Sequence, residues 1–294
     1  MPKRSRNCWH SNRERNLMAT RWQPRPNAET TELPALPKAR VRAAFGRHAR
    51  HAAQHDVAQR KIAATLFAAL DAAIAAAEAP LPQTPWLLDA GCGVGRDLPH
   101  LKARFPHHRL LALDAAPALL ATLPPELATP IVGDLEQLPF PTQTLALYWS
   151  NCAWQWTTPV LVVQEIVRTL APNGWAAISI VLAGTFPELA TAFAELGEPP
   201  PLAPLPDEAA WRQAFAGHPW RTLHATHHTI PLFFATPQEL LASIRGVGAT
   251  ATPKTPHRFD RTRPRRLAAA LERLSGPHGI SLTYQILTIL AQRP

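Results

Sequence analysis

From Trp86 onward, short apolar runs alternate with amphipathic stretches along the chain. The runs at 86–90 (WLLDA), 109–114 (RLLALD), 129–132 (TPIV), 145–150 (LALYWS) and 175–182 (WAAISIVL) have the length and composition of buried strands. Between and after them, residues 96–104, 117–122, 158–171 and 186–196 place apolar side chains three and four apart, which predicts helices. Strands alternating with helices imply right-handed crossovers and a parallel sheet covered on both faces. The fold class is therefore α/β, with a doubly wound core. Beyond Pro206 the pattern predicts helices at 207–216, 237–246 and 264–274 and strands at 221–233 and 281–291. Those two late strands would complete a seven-stranded, mostly parallel sheet. Upstream, 41–79 is alanine- and leucine-rich with helical spacing.

Proline clusters at 33–37, 80–85 and 199–206 punctuate this pattern, and none is long enough to tether independent domains. The expected organisation is an arm over 1–40 and one domain over 41–294. Within that domain, 41–79 forms N-terminal helices, 86–182 the ligand-binding core, 199–275 a cap with the sixth strand, and 281–291 the last strand.

Composition changes the picture in three ways. At 46% hydrophobic and 17% charged residues, the chain has the material for a substantial core. Its net charge of +9 is concentrated at the start, where residues 1–40 carry nine Lys and Arg against three Glu. Such an arm suits a solvated, disordered extension better than a nucleic-acid or membrane contact, because no periodicity accompanies the charge. The stretch 62–81 is mostly alanine and includes Asp71 and Glu78, unlike a membrane span. Three scattered cysteines (Cys8, Cys92, Cys152) favour neither a disulfide framework nor a structural zinc site, and a cytoplasmic setting is expected. Two histidine groups, His48/His51/His55 and His224/His227/His228, lack a convincing ligand set, so no metal is expected.

The informative segment is Leu87-Leu88-Asp89-Ala90-Gly91-Cys92-Gly93-Val94-Gly95-Arg96. An apolar strand running into glycines and then a helix lets backbone approach a bulky ligand. The spacing is G-x-G-x-G, whereas the dinucleotide pattern needs glycine where Arg96 stands. Asp89 puts a negative charge at the strand mouth, unfavourable beside a pyrophosphate and useful against an ammonium or sulfonium. Asp114 ends the next strand, where a carboxylate can accept both ribose hydroxyl protons. Gly133-Asp134-Leu135 follows the third strand, placing Asp134 for an adenine amino group and Leu135 for the ring face. Each acid alone could be a cap or turn residue. Three acids at successive strand ends beside a glycine turn point to a nucleoside site.

LLDAGCGVGR, LLALDAAP, GDLEQLPF and Leu170-Ala171-Pro172-Asn173-Gly174 resemble the successive motifs of class I S-adenosylmethionine-dependent methyltransferases. More narrowly, the chain resembles the malonyl-[acyl-carrier protein] O-methyltransferase family. That likeness rests on Val41–Arg47, His51–Gln59, the 149–156 segment WSNCAWQW, Gly184–Leu189, Gly246–Thr250 and Leu282–Gln285. It departs at Ala52, where the family often has tyrosine. The resemblance implies S-adenosyl-L-methionine as methyl donor, held by Asp89, Gly91, Cys92, Gly93, Gly95, Asp114, Ala115, Asp134, Leu135 and Asn151. It implies methylation of the free carboxylate of a malonyl thioester on an acyl carrier protein, opening pimeloyl synthesis for biotin. A carboxylate is already anionic at neutral pH, so no general base is required. Arg47, Gln155, Trp156, Arg245 and Tyr284 are the candidates for holding the acceptor, and Trp149, Trp154 and Trp156 for an aromatic wall. The arginines at 261, 263, 265 and 266 could face an acidic carrier or solvent. Competing readings are methylation of another small acid, quinone precursor or natural product, RNA methylation, and a silent cofactor-binding regulator.

Overall fold

Strands β1 (Trp86–Ala90), β2 (Arg109–Asp114), β3 (Thr129–Val132) and β4 (Leu145–Asn151) fall on the predicted apolar runs. In the computed structural model, which describes residues 38–48, 56–78, 80–246 and 262–294, they pair in parallel about β1. The strand order is β3-β2-β1-β4-β5-β8-β6. Here β5 is Leu170–Val181, β6 is Thr222–Phe234 and β8 is Gly279–Gln292, and β8 runs antiparallel between β5 and β6. The order reverses between β1 and β4, the switch point where open α/β sheets bind ligands at their carboxyl ends. An eighth strand, β7 (Ser275–Gly276), only forms a hairpin with β8.

Both faces are covered, as strands without polar alternation require. On one face, α2 (Val57–Ala76) buries Ile62, Leu66, Phe67 and Leu70, and α3 (Leu98–Arg104) adds Leu98 and Leu101. On the other, α5 (Pro159–Thr169) and α7 (Glu208–Ala216) pack Val162, Val163, Ile166, Trp211 and Phe215. A third cluster joins α6 (Pro187–Glu195), α8 (Pro237–Gly246) and α9 (Arg263–Arg273) to β6 and β8. Short α4 (Pro117–Leu120) follows β2, and α1 (Lys38–His48) packs against it.

Three differences from the predicted pattern have physical reasons. First, α1 starts at Lys38, so the last three residues of the proposed arm are helical. Second, β5 begins at Leu170, not Trp175, because Leu170 already pairs with Leu145 before a register shift. Third, α7 lies beside the sheet against α5 and not over its carboxyl edge, since Trp211 and Phe215 complete a cluster with Trp154. Among the described residues, no helix is long and apolar enough to cross a membrane.

Candidate cofactor and acceptor site

The carboxyl ends of β1 to β4 open into a cavity of about 440 Å³. Its floor is the glycine turn. Gly91 has φ +74°, and a Cβ there would stand 2.3 Å from Ala153 Cβ, so the close approach of two loops requires glycine. Gly93, at φ +57°, faces open space, with nothing within 4 Å of where a Cβ would stand. Gly91 and Gly93 line the cavity. Gly95 instead packs on Leu98 and Leu123, and Cys92 is buried beside them.

Asp114 lines the cavity from the end of β2 and is itself anchored: Oδ2 accepts from Gly93 N at 3.0 Å and Oδ1 from Ala116 N at 2.8 Å. Burial lifts its carboxyl above the ordinary range, and those backbone donors pull it back in part. Ala115, Asp134 and Leu135 complete the predicted wall. Asp89 lies behind this surface, 2% exposed, with Oδ2 lacking any hydrogen-bond partner. Burial, reinforced by the charges of Asp97 and Asp114, drives its carboxyl well above the usual range, with Arg96 opposing. A buried acid with one unpartnered oxygen suits a ligand that carries a cation, and the open backbone at Gly93 leaves room for one.

Asn151 is not on the cavity wall. Its Nδ2 donates to Gln59 O and to Asp97 Oδ2, both at 3.1 Å, and its Oδ1 accepts from Ser179 Oγ at 2.7 Å. It ties β4 to α2 and to the start of α3. Asp97, also buried, accepts from Trp149 Nε1 at 2.9 Å. Asp56 at the head of α2 pairs with Arg96 and Arg60, holding α2 to the glycine turn.

The three tryptophans separate. Trp149 stacks on Phe67 in the core of one sheet face, and Trp154 donates to the Tyr148 hydroxyl in the core of the other. Only Trp156 lines the cavity, with the Phe45 ring edge-on at 5.7 Å. Gln155 is buried, its Nε2 donating to Cys152 O at 2.6 Å and its Oε1 unpartnered. Tyr284 is buried against Phe186 at 4.7 Å and lies off the cavity wall. Arg47 is exposed on α1. Arg245 falls in the last turn of α8, with its side chain outside the described residues.

From α1, sequence reasoning singled out Arg47 as a site residue, which is not on the cavity wall, and did not assign the α1 residues that are. Lys38, Ala39, Val41, Arg42 and Phe45 all line the cavity, while none of the described residues within 199–275 does. Only the apolar spacing of Val41, Ala44 and Phe45 hinted at a packed face. Two of the later histidines are hydrogen-bonded: His227 to Glu208 and Gln285, both at 2.8 Å, and His228 to Thr288 at 2.9 Å. His51 and His55, like Ala52, lie outside the described residues.

Comparison with known proteins places this geometry. A family model described as a methyltransferase domain matches residues 88–178. The malonyl-[acyl-carrier protein] O-methyltransferase of Dechloromonas aromatica (strain RCB) is 30% identical over 261 residues, covering 87% of this chain and 95% of that protein. The enzyme of the same name from Herminiimonas arsenicoxydans is 30% identical over 89% of this chain and 98% of its own. Among solved structures, the YcgJ protein of Bacillus subtilis shares the fold at a TM-score of 0.50 and 16% identity, over 76% of this chain and 97% of that one.

Proposed function

The chain belongs to the malonyl-[acyl-carrier protein] O-methyltransferase family, and from that premise we propose how its cavity serves the reaction. The chain is an S-adenosylmethionine-dependent O-methyltransferase, and its acceptor is the free carboxylate of a malonyl thioester on an acyl carrier protein. The family resemblance puts the resulting methyl ester at the opening of pimeloyl synthesis for biotin. The observation that carries the cofactor assignment is the pair Asp114 and Asp134 on the wall of one glycine-floored cavity, with the buried acid Asp89 behind its floor. When bound, S-adenosylmethionine supplies an electrophilic methyl group on sulfur.

The residues of the chain then have distinct tasks. Asp114 accepts from the ribose hydroxyls, Asp134 from the adenine amino group, and Leu135 packs on the base. Asp89 offsets the positive charge of the methionine end through the turn. Gly91, Gly93 and Ala115 admit the ligand to the backbone. Trp156 and Phe45 exclude water from the approach of the acceptor, so that alignment and desolvation carry the catalysis. Cys152, on the same wall, is held protonated because burial pushes its thiol up to about 12, with a hydrogen bond to Ser179 opposing. It therefore does not compete for the methyl group.

The acceptor surface extends this reading. Arg263 of α9 already pairs with Glu198 at 2.8 Å and lies over Phe193, so Arg265 is the better carrier contact of that run. Arg261 lies outside the described residues. Methyl transfer should be measured with malonyl-acyl carrier protein, malonyl-coenzyme A, free diacids and RNA. The expected result is an ester on the malonyl thioesters, with the carrier-bound form preferred at low salt. Transfer to RNA or to an unrelated acid, with none to either thioester, would overturn the acceptor assignment.

Asp89 gives a pH dependence. The ionised carboxylate is the form that favours a cation, so ligand binding lowers its raised pKa and releases a proton. Affinity for S-adenosylmethionine should rise with pH through the elevated titration range of Asp89 and level off above it. Calorimetry in two buffers of different ionisation enthalpy reads the proton directly. No proton release anywhere in that range would separate Asp89 from the cation.

A further inference from the structure

Lys38 is the first residue of α1, and its ammonium reaches two acids beyond β3. Nζ lies 2.6 Å from Asp134 Oδ2 and 2.5 Å from Glu136 Oε2. Glu136 is nearly buried, and its other oxygen accepts from Thr158 N at 2.7 Å. One ammonium thus links α1 to the loop after β3 and, through Glu136, to the head of α5 just beyond Trp156. Farther along α1, Phe45 packs with Val94, Ala116 and Leu119 and meets Trp156 edge-on. The helix therefore crosses the cavity mouth, touching the loops that follow β1, β2 and β4.

We infer that Lys38 is a positioning residue for the cofactor, acting through Asp134 and holding α1 as a cover over the bound nucleoside. This rests on the reading of the cavity as the S-adenosylmethionine site. Lys38 and an adenine amino group are partners on Asp134, not rivals. A carboxylate offers about four acceptor positions. Oδ1 takes Glu136 N at 3.0 Å and Oδ2 takes Lys38, which leaves one position on each oxygen. The ammonium also offsets the repulsion between Asp134 and Glu136, which would otherwise turn the Asp134 side chain away. Arg42, one helical turn on, lines the cavity as well, yet among the described lysines and arginines of that wall only Lys38 is bonded to an acid.

The test uses the full chain, with S-adenosylhomocysteine as probe and the variants Lys38→Met, Lys38→Arg and Glu136→Gln. For Lys38→Met, the expected result is roughly tenfold weaker binding by calorimetry, the scale of one charge-assisted contact discounted for exposure. The KM for S-adenosylmethionine should rise accordingly, with a much smaller change in kcat and none in KM for the malonyl acceptor. Lys38→Arg should recover most of the loss, and Glu136→Gln should fall between. In the parent, the probe should slow tryptic cleavage at Arg40, Arg42 and Arg47; in Lys38→Met it should not. Unchanged probe affinity together with retained tryptic protection in a folded Lys38→Met protein would overturn the inference. If Asp134→Asn weakens the probe while Lys38→Met does not, the cofactor reading stands and Lys38 alone loses its role. A parent that does not bind the probe removes the cofactor reading itself.

Discussion

Trp149→Ala is expected to lower folding stability by about 3–5 kcal/mol, the range for deleting a large buried aromatic. Trp149 is fully buried at the end of β4, with its ring 3.9 Å from that of Phe67 and 18° from parallel. Its removal opens a cavity between α2 and the sheet. It also takes one of two side-chain donors from the buried carboxylate of Asp97, leaving Asn151. Trp149→Phe separates the two contributions. It keeps most of the apolar fill and loses only the N–H, so a cost nearer 1–3 kcal/mol is expected. Urea denaturation of the three proteins measures both. A loss under about 1 kcal/mol for Trp149→Ala would mean that the α2 face collapses to fill the space.

For the ligand site, Asp114→Ala should weaken S-adenosylmethionine binding roughly 10- to 150-fold, as loss of a charge-assisted contact worth about 1.5–3 kcal/mol predicts. The carboxylate has two roles. It faces the cavity, and it holds Gly93 N and Ala116 N, so alanine frees the turn as well as removing the proposed ribose contact. Asp114→Asn keeps an amide oxygen for one backbone donor and should bind better than alanine but less tightly than the parent. A folded Asp114→Ala protein that binds as tightly as the parent would show that the nucleoside sits elsewhere.

Legibility in the sequence followed burial. β1 and β2 carry apolar runs because both their faces are covered, and their limits are visible residue by residue; β3, at the sheet edge, is exposed and was read from its β-branched pair Ile131-Val132. The start of β5 was hidden because Pro172 and Asn173 read as a turn; Asn173 does adopt φ +63°, inside the strand. Two residues of β7 carry no pattern at all. Within the site, acids at strand ends were readable because spacing fixes where a strand stops. The split of the tryptophans was not. Trp149 and Trp154 enter opposite sheet faces, and only Trp156 reaches the cavity, by virtue of a single 3-10 turn. Lys38 was invisible for another reason: it stands 96 residues from Asp134, within a run of basic residues that gives no cue to a partner.

The place of β8 between β5 and β6 constrains the order of assembly during synthesis. Thirteen residue pairs join β6 to β8, and seven join β5 to β8, so β6 has no route into the sheet until residues 279–292 have emerged. Until then the nascent chain holds β5 as an open apolar edge beside a cofactor crevice whose β1–β4 frame is already contiguous. Closing that edge requires the longest-range pairing in the molecule, a slow kind of step. The interval in which a ribosome-bound chain must be kept from associating with its neighbours is thus set by the last strand to appear.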